Sequence, residues 1–329
     1  MQQTLTTALI PALIAFLVSF LLAPIFIPWL HKLKFGQQIL EDGPVWHKKK
    51  SGTPTMGGLI FIAGIVLSAI VGLLVRFDLH YAMMVAVAVG FGVIGFIDDY
   101  IKVVKKRNLG LTAWQKLLLQ TLLAAVYVIV LNQTGDLNTE ILIPFTGKML
   151  HLPWWLYIPL IFLVVLATDN SVNLTDGLDG LAASVTAIVA LFFTIVGACY
   201  ASSAATWFGA SIVGGLLAFL CYNHYPAKVF MGDTGSLFLG GAISVLAIGL
   251  RMPLILIIVG FVYLFEALSV ILQVISFQTT GKRIFKMSPI HHHFEMCGWS
   301  EKKIVLIFSL VTLVLSVIGF FAVFLGEVR

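Results

Sequence analysis

Long apolar stretches, returning at short intervals from one end of the chain to the other, constrain this sequence more than any other feature. Ten can be marked, at residues 5–30, 57–75, 81–97, 112–131, 153–168, 181–199, 206–222, 236–250, 253–277 and 304–325. About 20 apolar residues in helical form cross a bilayer, and a lipid-exposed backbone must satisfy its own hydrogen bonds. The expected fold is therefore an all-α polytopic membrane protein of about ten transmembrane helices. Composition agrees: 60% of the 329 residues are hydrophobic and 11% are charged, whereas a soluble domain has about 25% charged residues. No internal repeat or low-complexity linker interrupts the pattern, so residues 1–329 read as a single transmembrane domain.

Charge sets the expected orientation. Of the 20 Lys and Arg residues, only Arg76, Lys148, Arg251 and Arg329 fall on the side of the even-numbered loops. The other sixteen follow odd-numbered segments, and the positive-inside bias makes that side cytoplasmic, with both termini outside. No Lys or Arg precedes the first apolar core, which argues against reading it as a cleavable signal peptide. The one sizeable outer loop, near residues 132–152, carries Gly135-Asp136 and Thr146-Gly147 around Ile141-Leu142-Ile143, a pattern that suggests a small extracytoplasmic hairpin. Cys199, Cys221 and Cys297 are scattered and form neither a CxxC motif nor a disulfide framework. The net charge of +5 comes with no basic stripe interleaved with aromatics, so nucleic acid is not an expected partner.

The dense polar clusters fall in the five inner loops. They are Lys50 to Gly58, Asp98-Asp99 with Lys102, Lys105 and Lys106, Asp169 to Gly180, Asn223 to Ser236, and Lys282 to Glu295. A transporter would place its ionisable groups near the bilayer midplane on broken helices. Ionisable groups gathered at one interface favour an enzyme whose site opens to the cytoplasm and takes one substrate from the membrane. GxxxxGK[ST], a GxGxxG on a βαβ unit, GxSxG and HExxH are all missing, which excludes the P-loop, Rossmann, α/β-hydrolase and zincin chemistries. Carboxylates with Lys suit a divalent cation and phosphates, Mg²⁺ being held by one or two carboxylates and substrate oxygens. Gly-rich turns leave N–H groups free for anions.

Individual residues carry different weights. Adjacent helical side chains diverge by about 100°, so Asp98 and Asp99 should have different roles. Asp176 and Asp179 would share a face if helical, although Asp176 would also serve as a simple cap of the next helix. The tight turn Gly232-Asp233-Thr234-Gly235-Ser236 opens a membrane segment, where Asp233 or Ser236 would also serve as a cap. The rings of His291, His292 and His293 point in different directions and cannot all ligate one metal; hydrogen bonding to phosphate or nucleotide is the better expectation. His31, His47, His80 and His151 are read as interfacial. Glu266 lies mid-segment, with Gln273 two turns on. An intramembrane carboxylate is a functional candidate by default, but a helix–helix hydrogen bond explains it equally well, so it is assigned no role.

Five stretches together resemble one family. Gly52-Thr53-Pro54-Thr55-Met56-Gly57-Gly58, Asp98-Asp99, Asn170 to Gly180, Asn223 to Ser236 and Ser288-Pro289-Ile290-His291-His292-His293-Phe294-Glu295 match, in order, the phospho-N-acetylmuramoyl-pentapeptide transferases (MraY, translocase I). These belong to the polyprenyl-phosphate N-acetylhexosamine-1-phosphate transferase superfamily. The double Asp and Gly-Asp-Thr-Gly-Ser mark the superfamily, and the His triplet after Ser-Pro-Ile marks the muramoyl branch. The resemblance implies a ten-helix homodimer of the bacterial cytoplasmic (inner) membrane that transfers phospho-MurNAc-pentapeptide from UDP-MurNAc-pentapeptide to undecaprenyl phosphate, with Mg²⁺, giving lipid I and UMP. It implies Asp233 as the metal ligand, and Asp98, Asp99, Asn223, His291 and Lys50 at the catalytic site with Thr55 beside them. Asn170, Asp176, Gly177, Phe230, Lys106 and His292 are implied on the nucleoside side, and Lys102, Asn173, Asp179 and His293 complete the expected substrate-binding set. Phe230 would stack on uracil and Asp176 would accept its N–H. Direct attack by the lipid phosphate is the expected route; a covalent aspartyl-phosphate on Asp98 is the alternative. The rival functions are a GlcNAc-1-phosphate transferase, against which the His triplet argues, and a transporter coupled through Asp98, Asp99 and Glu266.

Overall fold

The computed structural model describes residues 2–32, 50, 52–105 and 109–325, the side chains of 2–7 excepted. Among these, ten helices are long and apolar enough to cross a membrane. They are α1 (Gln2–Lys32), α2 (Gly58–Val75), α3 (Leu79–Val104), α4 (Ala113–Thr134), α5 (Trp154–Thr175), α6 (Leu181–Cys199), α7 (Ser203–Asn223), α8 (Gly232–Gly249), α10 (Phe261–Thr280) and α12 (Glu301–Phe324). Two shorter helices, α9 (Leu256–Val259) and α11 (Ile290–Met296), complete the set. The strands β1 (Glu140–Ile143) and β2 (Lys148–His151) pair antiparallel, Glu140 opposite His151 and Ile143 opposite Lys148. This is the hairpin expected in the 132–152 loop. It is pinned to the bundle by Leu142 N–H donating to the Arg251 carbonyl at 2.8 Å and by Arg251 reaching Glu140 at 3.0 Å.

Local sequence explains several helix ends. Thr112 and Gln115 form a reciprocal capping box at the start of α4, Asp78 caps α3 through the Tyr81 N–H, and Ser300 caps α12 through the Lys303 N–H. Gly135 and Gly281 end α4 and α10 in the left-handed conformation at φ 78° and 69°, which a side chain would strain.

Helix α8 is the axis of the molecule. Every residue from Thr234 to Ile248 is buried, the mark of a helix enclosed on all sides by protein. The side chain of its N-terminal cap, Met231, makes no capping hydrogen bond. Helix α3 runs along it and comes closest at Gly95, where a Cβ would collide with the Asp233 carbonyl. Gly95 thus sets the depth at which the start of α8 sits against α3.

Four expectations about element edges change. Helix α3 continues to Val104, so Asp98 and Asp99 lie within it rather than in a loop after it. Helix α5 continues to Thr175, placing Asp169, Asn170 and Asn173 on a helix; residues 176–180 are a turn, so Asp176 and Asp179 do not share a helical face. The 253–277 segment breaks at Gly260 between α9 and α10. The His triplet sits on α11, not in an irregular loop. In α3 and α5 a polar residue near a span end reads as a stop, while helical hydrogen bonding continues because polar neighbours are available.

Candidate active site

The cytoplasm-facing expectation aside, three of the inner clusters converge on the start of α8. Asp233, in the first turn of α8, accepts at Oδ2 from Lys102 Nζ at 2.9 Å and Lys116 Nζ at 2.7 Å, and at Oδ1 from Asn173 Nδ2 at 2.9 Å. Asn173 also donates to Ser236 Oγ at 2.8 Å. Asp98, buried, has Oδ2 2.6 Å from Lys102 Nζ; its Oδ1 accepts from Leu111 N–H at 2.8 Å and lies 3.7 Å from Lys116 Nζ. Four helices, α3, α4, α5 and α8, therefore each supply a charged or amide group to one point.

Asp99 does something else. Its Oδ1 accepts from the Asp233 N–H at 3.2 Å, and its Oδ2 from the Thr234 N–H at 2.9 Å and the Thr234 hydroxyl at 2.7 Å. It supplies the cap that Met231 cannot, and its charge sits favourably at the positive end of α8. The two adjacent aspartates thus have different roles, as their angular separation implies, and neither Asp233 nor Ser236 is the cap.

Carboxylate oxygens of Asp98, Asp99 and Asp233 all lie within 4.8 Å of one another. Hard oxygen donors in this number suit Mg²⁺, and the ammonium groups of Lys102 and Lys116 bridge Asp98 and Asp233 as a cation would. The residues fit a divalent ion.

The first inner loop is held to the same place. Phe230 N–H donates to the Pro54 carbonyl at 2.8 Å, and Gly57 and Gly58 donate back to the Phe230 and Met231 carbonyls at 2.8 and 3.0 Å. Thr55 Oγ1 lies against Gly232, 2.7 Å from where a Cβ would stand. Lys50 is clamped by Asp179 at 2.7 Å and Glu301 at 2.6 Å. Burial alone would lower its pKa, but the two carboxylates outweigh that and hold it above the ordinary lysine value. Asp179 also accepts from the Ala227 N–H at 2.9 Å. Asn223 is committed to backbone, accepting from Gly180 N–H at 3.1 Å and donating to the Val229 carbonyl at 2.9 Å. Lys50, Asp179 and Asn223 therefore tie together the turn before α6, the end of α7 and the start of α12.

Asp176, just beyond α5, is half-buried. Its pKa lies well above the carboxylate norm because of burial, and then because Asp233, Asp99 and Asp179 face it. Next to it, Gly177 lies so close under the His291 ring that a Cβ would overlap Nε2. His291 Nδ1 is 3.0 Å from Glu266 Oε2. His292 pairs with Glu295 at 2.6 Å, and His293 accepts from the Lys286 N–H at 3.1 Å, so the three rings do diverge. Asn170 donates to Gln120 at 2.9 Å, which in turn holds buried Asp169 at 2.6 Å. Phe230 is half-buried. Lys106 lies outside the described residues.

Two residues stand out that sequence reasoning passed over. Lys116 looked like a positive flank of the fourth segment; a Lys with Gln120 one turn on, both on one face of an otherwise apolar span, was the available signal. Glu266 is left without a role by the sequence, because a helix–helix hydrogen bond explains it equally well; its partner His291 lies 25 positions away on another element.

The comparisons follow this geometry. The profile described as Glycosyl transferase family 4 matches residues 81–251, which carry Asp98, Lys116, Asn173 and Asp233. The phospho-N-acetylmuramoyl-pentapeptide-transferase signature 1 matches residues 50–62, the loop zipped to Phe230. A phospho-N-acetylmuramoyl-pentapeptide-transferase of Clostridium botulinum (strain Alaska E43 / Type E3) is 52% identical over 309 residues, covering 92% of each chain. The chain belongs to the phospho-N-acetylmuramoyl-pentapeptide transferase family. Further relatives of that name are found in Acetivibrio thermocellus, 51% identical over 308 residues (92% of this chain, 91% of the relative), and in Halalkalibacterium halodurans, 50% identical over 302 residues (91% and 92%). Family membership and the ten apolar helices make this a multi-pass membrane transferase.

Proposed function

We propose that the protein transfers phospho-N-acetylmuramoyl-pentapeptide from UDP-MurNAc-pentapeptide to undecaprenyl phosphate, releasing UMP and forming lipid I. It does so as a homodimer, at the cytoplasmic face of the bacterial inner membrane. The single observation that carries the reaction type is the cluster of Asp98, Asp233, Lys102 and Lys116 at the start of α8. Acidic and ammonium groups alternate there as a diphosphate and a divalent ion require.

The lipid phosphate, with a second pKa near 6 on the phosphoserine analogy, is largely dianionic at neutral pH and needs little activation. One of its oxygens attacks the β-phosphorus, the bond to the bridging oxygen breaks, and UMP leaves with that electron pair. Lys102 and Lys116 neutralise charge on the transferring group, the kind of preorganised electrostatics that dominates phosphoryl transfer. Asp98, held by Lys102 and the Leu111 N–H, orients the attacking phosphate. Asp233, with Asp98, would hold Mg²⁺, which when bound neutralises the diphosphate. Phe230 and Asp176 border the nucleoside end, and the exposed Lys282 and Arg283 attract the acidic peptide arm.

The test is the purified protein with Mg²⁺ and undecaprenyl phosphate. UMP and lipid I should form with UDP-MurNAc-pentapeptide and very little UMP with UDP-GlcNAc. Equal turnover of UDP-GlcNAc would move the chain to the GlcNAc-1-phosphate branch. Exchange of labelled UMP into the sugar nucleotide by lipid-free enzyme, lost in Asp98→Asn, would replace direct attack by a covalent aspartyl-phosphate.

A further inference from the structure

Glu266 and His291 form a pair sealed from solvent, at 0% and 1% side-chain exposure, with Nδ1 3.0 Å from Oε2. They come from different elements, the second turn of α10 and the first turn of α11. His291 Nε2 and Glu266 Oε1 find no hydrogen-bond partner among the described residues. A buried polar atom left bare costs about 1–3 kcal/mol, so an unpaired ring nitrogen packed on the Asp176–Gly177 turn points to a ligand group that meets it once substrate is bound. The ring edge bearing Nε2 lies on Gly177, beside Asp176.

The choice of partner follows from charge. A carboxylate buried in the membrane with one hydrogen bond is costly unless its partner is cationic. Other charged groups near the ring are His292, whose ring centre is 4.1 Å away, Glu295 bound to His292, and Asp176 beyond Gly177. Glu266, in direct contact, favours a positive ring; Asp176, whose burial favours its protonated form, adds little. A positive ring has N–H groups at both nitrogens. One is taken by Glu266, which leaves Nε2–H free to donate.

We infer that Glu266 is a positioning residue: its carboxylate keeps His291 doubly protonated and turned so that Nε2–H donates to an anionic oxygen of the substrate diphosphate. This rests on the function proposed above. Gly177 contributes by lacking a Cβ; any side chain there would displace the ring.

Glu266→Gln tests the inference, because glutamine retains an acceptor for Nδ1–H at the same length and removes only the charge. A purely structural hydrogen bond would survive it. Turnover of UDP-MurNAc-pentapeptide should fall ~10²–10³-fold, as for loss of one oriented donor, mostly in kcat, because charge on the leaving phosphate grows in the transition state. His291→Ala should fall similarly, and the double variant no further, since Glu266 acts through His291. In wild-type enzyme with ¹⁵N-labelled histidine at neutral pH, the His291 signal should show two protonated nitrogens. Wild-type turnover in Glu266→Gln, additive losses, or a neutral His291 ring in the wild type would each overturn the inference. Failure of the wild type itself to release UMP would instead sink the proposed function.

Discussion

Lys116 offers the sharpest test of the site's electrostatics. In Lys116→Met the chain keeps its length and loses its charge. Lys116 Nζ is 2.7 Å from Asp233 Oδ2 and 3.7 Å from Asp98 Oδ1, and the two side chains of the shorter pair are 18% and 16% exposed. Counting three carboxylates and two ammonium groups, the formal charge of the cluster is one negative, and that of the variant would be two. Two unit charges about 4 Å apart at an effective dielectric near 20 interact by about 4 kcal/mol, and a divalent ion doubles this to about 8 kcal/mol. Lys102, 2.9 Å from Asp233 Oδ2, recovers part of this. If about a quarter or less persists, a divalent cation should bind about 10–30-fold more tightly, at about 1.4 kcal/mol per tenfold. Turnover should fall ~10²–10³-fold, because the transferring group loses a neutralising ammonium. Affinity and rate therefore move in opposite directions. Mn²⁺ binding followed by electron paramagnetic resonance in detergent, beside UMP release at saturating Mg²⁺, reads both. Weaker Mn²⁺ binding, or wild-type turnover at saturating metal, would refute the reasoning.

Three other predictions follow from particular contacts. Asp233→Asn should fold normally and lose ~10²–10⁴ in rate, and chelating Mg²⁺ should do the same to wild type; normal turnover with Mg²⁺ would place the metal elsewhere. Asp176 has a folded pKa raised above its unfolded value near 3.9, so its folded state favours the proton and stability is lost as pH rises through that window. Asp176→Asn should therefore raise the melting temperature at pH 8 but not at pH 4, while weakening nucleotide binding; an equal change at both pH values would contradict the assignment. In a background lacking Cys199, Cys221 and Cys297, a cysteine at exposed Lys148 should react with an impermeant thiol reagent in intact cells and one at exposed Lys228 should not; the reverse would invert the orientation.

The bundle was legible because its signal is local. Each span is a run of apolar residues, and the hairpin and several caps are written within a few neighbouring positions. The site was half legible. Asp98, Asp233, Asn173 and His291 stood out because polar residues clustered at span ends are costly and therefore informative. What stayed hidden were the pairings. Lys116 and Asp233 are separated by 117 positions, Asp99 and Thr234 by 135, and Glu266 and His291 by 25; no periodicity links such residues. The same blindness put helix ends too early, since a polar residue near a span end reads as a stop until the group that receives it is known.

The cap that α3 lends to α8 changes how inactive variants should be understood. Asp99→Ala would leave the first N–H groups of α8 bare and release the backbone that carries Asp233. An activity screen would then score Asp99 beside Asp98, although Asp99 holds a scaffold in place and the proposed role of Asp98 is to align a reactant. The two can be told apart by what survives: a variant that only misaligns reactants still binds cation and nucleotide, whereas one that frees the start of α8 loses them together. Where one chain segment holds the end of another, a list of indispensable residues is not a list of chemical participants.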